Sequence, residues 1–349
     1  MMNHLLKKSV LFSIFCILCI SFSFNSALAA KKEKVIKLNL AHFLAESFTE
    51  WTEWDSYFAK EVEKRTNGRV KIIIHWSQSL GKIPDLPELC SKGAVDIMAT
   101  TPSYSPTWFR LSSVLNQIPF IQNSLDEVVN VSQRLYFEGP LPKVDYAAHN
   151  MKLLFVGCFR EYHIFAKEPI ETLADLKGKK IRTWGPYLPR AISAAGAVPV
   201  DVSPSEMFES LQRGRVDGIP WGMSSAYGAG LHEIAPYISM TGIGLYPGII
   251  RLINLDVWNK LPADVQKVMQ EVAQELMTKV GPEIANSHYE KAHKLLTEKG
   301  ATFVEFKDRQ KWIDSLPDFR KEWLKEMEKT DIAEESKELY RMWNEVLGQ

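Results

Sequence analysis

Cysteine is scarce, with four in 349 residues. Cys16 and Cys19 fall in an N-terminal apolar run, which leaves Cys90 and Cys158 for the rest of the chain. A single pair is not a disulfide framework. The two read as small apolar core side chains, with pairing in an oxidising compartment left open. An excess of either charge is also absent. Forty-two Lys and Arg balance 42 Asp and Glu, so no basic field draws nucleic acid. Catalytic signatures are missing too. GMSSAYG lacks the G-x-S-x-G spacing, GIGLYPG is not G-x-G-x-x-G, and there is no Walker sequence. His288 and His293 stand five apart, which does not align them on one helical face as metal ligands. Neither metal nor cofactor is expected.

What is present points first to export. His4, Lys7 and Lys8 precede the apolar run Val10–Phe22, and Ala27 and Ala29 form a small-x-small cleavage pattern. The run is shorter than the roughly 20 residues of a membrane span. It reads as a secretory signal, residues 1–29, cleaved after Ala29 and directing the chain to the periplasm. Cleavage would remove Lys7 and Lys8 and no acid, leaving a formal charge of −2.

The remaining length is too great for one ordinary core and implies about two domains. KVIKLNLAHF, VKIIIHW and AVDIMAT read as strands separated by helices, the first carrying Trp51, Trp54, Tyr57, Phe58 and Val62 at helical spacing. This is the grammar of a parallel sheet with crossover helices. It recurs after a helix capped by Ser124, with MKLLFVGCF, HIFAKEPI and KKIRTW as strands. SPSEMFESLQRG reads as a helix with Ser203 and Glu206 as a capping box, and RVDGIPW returns to a strand. From Pro262 the chain is helical, with Gly281 and Pro282 expected to interrupt a long helix. The final segments are amphipathic and expected to pack outside. Two α/β halves result, the second beginning near Met151, with ligand expected in the cleft between them.

Few residues offer chemistry. Cys158 and His163 share a region and could be imagined as a thiol–base pair, but alternation along one unbroken strand would set them on opposite sides. His42 follows the first strand and is placed to line the cleft; a hydrogen-bonded surface histidine is the plain alternative. Arg182 ends a strand, with Trp184 just beyond it. Such a pair can grip a flat anion, or the arginine is an ordinary solvated charge.

ADLKGKKIRTWG followed by GAVPVDVSPSEMFESLQRGRVDG resembles the periplasmic solute-binding subunits of TRAP (tripartite ATP-independent periplasmic) transporters. IKLNLAHFLAESF, TNGRVKIIIHWSQSLG, ELCSKGAVDIMATTPSY, IPFIQNSLDEV and INLDVWNKLPADVQKVMQEVA resemble that family in the same order, across nearly the whole mature chain. The resemblance implies an α/β, two-lobed periplasmic binding protein fold. Each lobe is a sheet flanked by helices, with a long helix spanning both. Residues 30–157 and 248–285 would form lobe I, and 158–247 and 286–349 lobe II. It implies capture of a small organic acid for a membrane permease, with no bond chemistry and a monomeric receptor.

In the family the arginine of the K-I-R strand pairs with the ligand carboxylate; Arg182 holds that place, and a guanidinium fork suits a carboxylate. Arg160 in GCFREY is the candidate for a second family arginine. The sequence departs from sugar-acid binders where VDGIPW places Trp221 and where Thr100, Thr101 and Tyr104 follow AVDIMA. Trp184 and Trp221 with Phe43 and Tyr104 would build aromatic walls, which suit a flat or apolar ligand body. Two other readings stay open: a periplasmic lyase or hydrolase acting on an organic acid, and a ligand-sensing module.

Overall fold

The computed structural model describes residues 34–46, 49–158 and 160–348; the expected signal segment, residues 1–29, lies outside them. Residues Lys37–Gln349 form one packed unit, built on two β-sheets. The first has the order β2–β1–β3–β10–β4. Its strands are β1 (Ile36–His42), β2 (Val70–His75), β3 (Ile97–Thr100), β4 (Met151–Cys158) and β10 (Pro247–Asn254). The second runs β11–β9–β5–β8–β6–β7. It comprises β5 (Tyr162–Ala166), β6 (Lys180–Thr183), β7 (Val198–Asp201), β8 (Gly218–Gly222), β9 (Tyr237–Gly244) and β11 (Thr302–Val304). The mixed α/β class and the two flanked sheets agree with expectation.

The sheets are not parallel throughout, as the sequence pattern suggested. β1 and β3 are parallel, but β10 lies antiparallel between β3 and β4. β5 is antiparallel to both of its neighbours. The reason is connectivity. β4 leads to β5, and β9 to β10, by short links between the two sheets. With no crossover helix to return the chain, each strand enters its sheet reversed.

Helices cover the sheets because their apolar residues recur at helical spacing. In Glu50–Arg65, Thr49 Oγ1 accepts the Thr52 N–H at 3.3 Å, and Trp51, Trp54, Phe58 and Val62 turn inward. Phe58 meets Phe155 of β4 with ring centroids 4.7 Å apart. On the second sheet, Met207 and Leu211 join Phe165, Ile219 and Ile238 in a common core. The expected box at Ser203 is not made. Pro204–Glu206 winds as a 3₁₀ turn, and Ser203 Oγ donates to the Glu206 side chain at 2.8 Å instead of capping backbone.

A long helical run links both sheets. Ala263–Glu275 leads through one π turn, Leu276–Val280, into Gly281–Glu298. The interruption therefore falls just before Gly281 and Pro282, which are themselves helical; a π turn accommodates the missing proline N–H. Met277 packs on β4, where its Sδ lies 3.5 Å from the Val156 nitrogen. Ala292 and Leu296 enter the core of the second sheet. The C-terminal helix Ala333–Leu347 packs on Leu125–Phe137. Among the described residues no helix is long and apolar enough to cross a membrane.

Candidate functional site

The carboxyl ends of β1, β3, β6 and β8 converge on one cavity. β1 delivers Phe43 and Leu44, β3 delivers Thr101, Ser103 and Tyr104, β6 delivers Arg182 and Trp184, and β8 delivers Trp221. Strand ends are where open α/β sheets place ligands, since loops there can diverge while the strands stay fixed. The antiparallel strands add Tyr162 and Ile249 from their amino-terminal portions. Counted together with the open space at its mouth, the cavity encloses about 520 Å³.

Arg182 is the charged centre. It is 3% exposed. Its Nε–H donates to the Val202 carbonyl at 3.1 Å, and its guanidinium carbon lies 4.5 Å from the Trp184 ring centroid. Those contacts fix the plane of the fork. Among the described residues the two Nη groups make no hydrogen bond and no ion pair. A buried guanidinium so held offers two parallel donors to a planar anion.

The walls are aromatic. Tyr162 lies 5.8 Å from Trp184 and 5.7 Å from Tyr246, and Phe43 lies 6.0 Å from Tyr104, all between ring centroids. Burial pushes the Tyr162 and Tyr246 hydroxyls up, so both stay protonated. Ser103 Oγ, Asn116 Oδ1 and Tyr246 OH are buried without a hydrogen-bond partner among the described residues. All three residues line the cavity. Unsatisfied polar groups are costly in a core, so their concentration around Arg182 marks a surface suited to a polar head group.

Six of the sequence candidates therefore meet: Arg182, Trp184, Trp221, Phe43, Tyr104 and Thr101. His42 and Arg160 do not line this cavity. His42 is fully buried behind the wall, with Nε2 3.1 Å from Asp55 Oδ2 and Nδ1 accepting the Leu44 N–H at 3.0 Å. Burial lowers its pKa, against the pull of Asp55. Arg160 is half-buried and engaged elsewhere: its Nε–H donates to Glu161 Oε2 at 2.8 Å, an Nη group bonds Asn286, and the guanidinium stacks 4.2 Å from the Tyr289 centroid.

Cys158 and His163 form no thiol–base pair. They belong to different sheets, so the premise of one unbroken strand fails. Burial lifts both free thiols, Cys90 and Cys158, to about 12, and lowers His163 to about 4.

Sequence reading missed the support beneath the walls. Arg251 pairs with Asp55 through Nε–Oδ1 at 2.9 Å and Nη2–Oδ2 at 2.6 Å, while Nη1 donates to the Ile249 carbonyl at 2.8 Å. Burial pushes Asp55 up, but Arg251 and His42 outweigh it and hold the carboxyl below its ordinary value. This buried triad fixes two wall segments, Leu44 through His42 and Ile249 through Arg251. A signal was available: Arg251 interrupts an apolar run, and Asp55 falls on the apolar face of its helix.

Strain lies at the same rim. Ser77 and Gln78 adopt φ of 58° and 59°, uncommon for residues with a Cβ. Their amides donate to the Leu44 and His42 carbonyls at 2.8 and 3.1 Å. Among the described residues no cluster of His, Cys, Asp and Glu could hold a metal.

Comparison with known proteins agrees with this arrangement. Residues 40–327 match the bacterial extracellular solute-binding proteins, family 7. A solute-binding protein of Roseobacter denitrificans is 28% identical over 291 residues, covering 82% of this chain and 86% of its own. The C4-dicarboxylate-binding periplasmic protein of Rhodobacter capsulatus is 26% identical over 264 residues, 74% of this chain and 78% of its own. A TRAP periplasmic solute-binding protein from Desulfovibrio salexigens, solved with bound orotic acid, superposes with a TM-score of 0.77 at 21% identity, covering 89% of this chain and 98% of its own. With two sheets, a cavity at their strand ends and a family match across most of its length, the chain belongs to family 7 of the bacterial extracellular solute-binding proteins, the periplasmic receptors of TRAP transporters.

Proposed function

We propose that this receptor captures a small organic carboxylate with a flat or apolar body and presents it to the membrane subunits of a TRAP permease. One observation carries the reading: Arg182 is buried on the cavity wall, and among the described residues its side chain hydrogen-bonds only through Nε, which leaves both Nη groups for a ligand. Trp184, Trp221, Phe43, Tyr104 and Thr101 surround it as the wall. A carboxylate there would gain bidentate charge-assisted bonds, and the rings would flank its body. The family is one of transport binding proteins, not of enzymes.

We place residues 30–157 and 248–285 in one lobe and 158–247 and 286–349 in the other. The strand membership of the two sheets supports this division. Ligand touching both lobes would favour the closed form, and the permease would read the closed surface of a monomer. Export with cleavage after Ala29 fits a receptor of this family; intact mass of the periplasmic protein tests it and should correspond to a chain starting at Ala30.

Native mass spectrometry of the purified protein tests the function itself. We expect a co-purified organic acid that is released unchanged on unfolding. Release of a chemically altered product, or binding of only uncharged solutes, would overturn the reading.

A further inference from the structure

The Arg182 cavity shares a wall with a second chamber. Phe43, Leu44, Pro204 and Trp221 line both. Its chemistry differs. Among the described residues lining the two chambers, Arg182 is the one formal charge, with no carboxylate, lysine or histidine. The polar groups also divide. Ser103 Oγ, Asn116 Oδ1 and Tyr246 OH stand without partners in the first chamber.

In the second, four of the five serine, threonine and glutamine side chains hydrogen-bond to protein, Ser77 being the fifth. Thr49 Oγ1 accepts from the Thr52 amide at 3.3 Å and Gln78 Oε1 from the Ile83 amide at 3.2 Å. Ser225 Oγ accepts from Trp51 Nε1 at 3.0 Å, and Ser205 Oγ lies 3.3 Å from Ser203 Oγ. Ala45, Ile83 and Ala229 complete an uncharged lining.

We infer that the ligand is an amphipathic monocarboxylate. Its one carboxylate sits on Arg182, and an alkyl or aryl-alkyl tail passes Trp221 and Phe43 into the second chamber. A second carboxylate would meet no cation in either chamber, and an ammonium would meet no anion; a buried charge without a partner is strongly disfavoured. An apolar tail would pack on Phe43, Leu44, Ala45, Ile83, Trp221 and Ala229 of the second chamber. The inference rests on the carboxylate reading of Arg182 and adds length, apolarity and a single charge to it.

Calorimetry of the purified protein with butyrate, hexanoate, octanoate, 4-phenylbutyrate and succinate tests it. We expect affinity to rise about twofold to fourfold per added methylene from butyrate to octanoate, as buried CH₂ groups do. 4-Phenylbutyrate should bind more tightly than butyrate, and succinate should gain nothing over it. Ala229→Trp and, separately, Ser205→Trp fill the second chamber from two different elements, both at exposed positions. In whichever variant keeps the wild-type melting profile, the octanoate-to-butyrate affinity ratio should fall about tenfold, the equivalent of two or so buried methylenes. A flat series, with short acids binding in an Arg182-dependent manner, overturns the two-chamber inference and leaves the carboxylate reading standing. An unchanged ratio in a folded variant also overturns it. Loss of Arg182 without effect on any acid overturns both.

Discussion

The indole N–H of Trp51 donates to Ser225 Oγ at 3.0 Å. Trp51 opens the helix after β1, and Ser225 lies in the helix after β8, so the bond joins elements of the two sheets beside the cavity. Glu50 and Ser224, one residue back on each side, also hydrogen-bond. Both contacts are buried, and burial pushes the Glu50 carboxyl up. If closure forms them, they stabilise the ligand-bound state. We expect Ser224→Ala and Ser225→Ala to weaken ligand binding by about 1–3 kcal/mol, the cost of an orphaned buried partner. Small-angle scattering should find wild-type protein more compact at saturating ligand and the double variant less so. Identical profiles with and without ligand in wild type would refute closure.

We propose Arg182 as the anchor of the head group. Truncation to Ala would leave a buried carboxylate unpaired and cost about 2–5 kcal/mol of binding. Lys keeps the charge but loses the planar fork and the stack on Trp184, so Arg182→Lys should fall between. Calorimetry decides the matter: unchanged affinity in Arg182→Ala would remove this residue from the site.

Gly244 makes room for a wall. A Cβ at this position would lie 1.8 Å from the Tyr246 ring, a rigid group fully buried against Tyr162. Gly244→Ala must therefore move Tyr246 or the strand. We expect overpacking to cost about 1–3 kcal/mol of stability, with a further loss of ligand affinity that Tyr246→Phe does not share if ring position matters more than the hydroxyl. Denaturant melts and titrations on both variants separate these effects.

How far the sequence could be read depends on whether a signal was local. Arg182 and Trp184 sit at a strand end inside a recognisable motif, and both reach the cavity. Trp221 follows from the same logic. Tyr246, Asn116 and Ser103 lie in links and 3₁₀ turns where no periodicity points to a face. β9 gives a weak strand signal, since it carries Gly242 and Gly244. β7 was missed because Pro199 weakens it as a strand; it is tolerated at the sheet edge. Strand order was out of reach, since β10 inserts between β3 and β4 through contacts remote in sequence. Gly281 had a visible signal with another cause. It reads as a helix break before proline, yet a Cβ there would lie 2.0 Å from the Trp54 ring, so the glycine serves close packing.

Acid stability depends on two buried groups with opposite signs. His163 is lowered from 6.5 to about 4, mainly by burial, with Arg160 and Arg309 reinforcing and Glu161 opposing the shift. Its Nδ1 accepts the Gly242 N–H at 3.2 Å, a bond that protonation there would break. The unfolded chain therefore takes up this proton first, and His163 stabilises above 6.5 and loses that contribution as pH falls towards about 4. Asp145 is raised from 3.8 to about 6 by burial, despite bonds from the Ser112 amide at 2.6 Å and hydroxyl at 2.7 Å. Here the folded state takes the proton first, so acidification from about 6 to 3.8 favours folding. The two slopes, each up to about 1.4 kcal/mol per pH unit, oppose each other across the shared window. We expect wild-type stability from urea melts to change little for these groups between pH 6 and 4. His163→Gln should remove the acid-destabilising slope, so that the variant gains relative to wild type as pH falls. Asp145→Asn should do the reverse and steepen the acid loss, whatever its baseline cost. Parallel stability curves for wild type and both variants would mean that neither group titrates with the assigned shift.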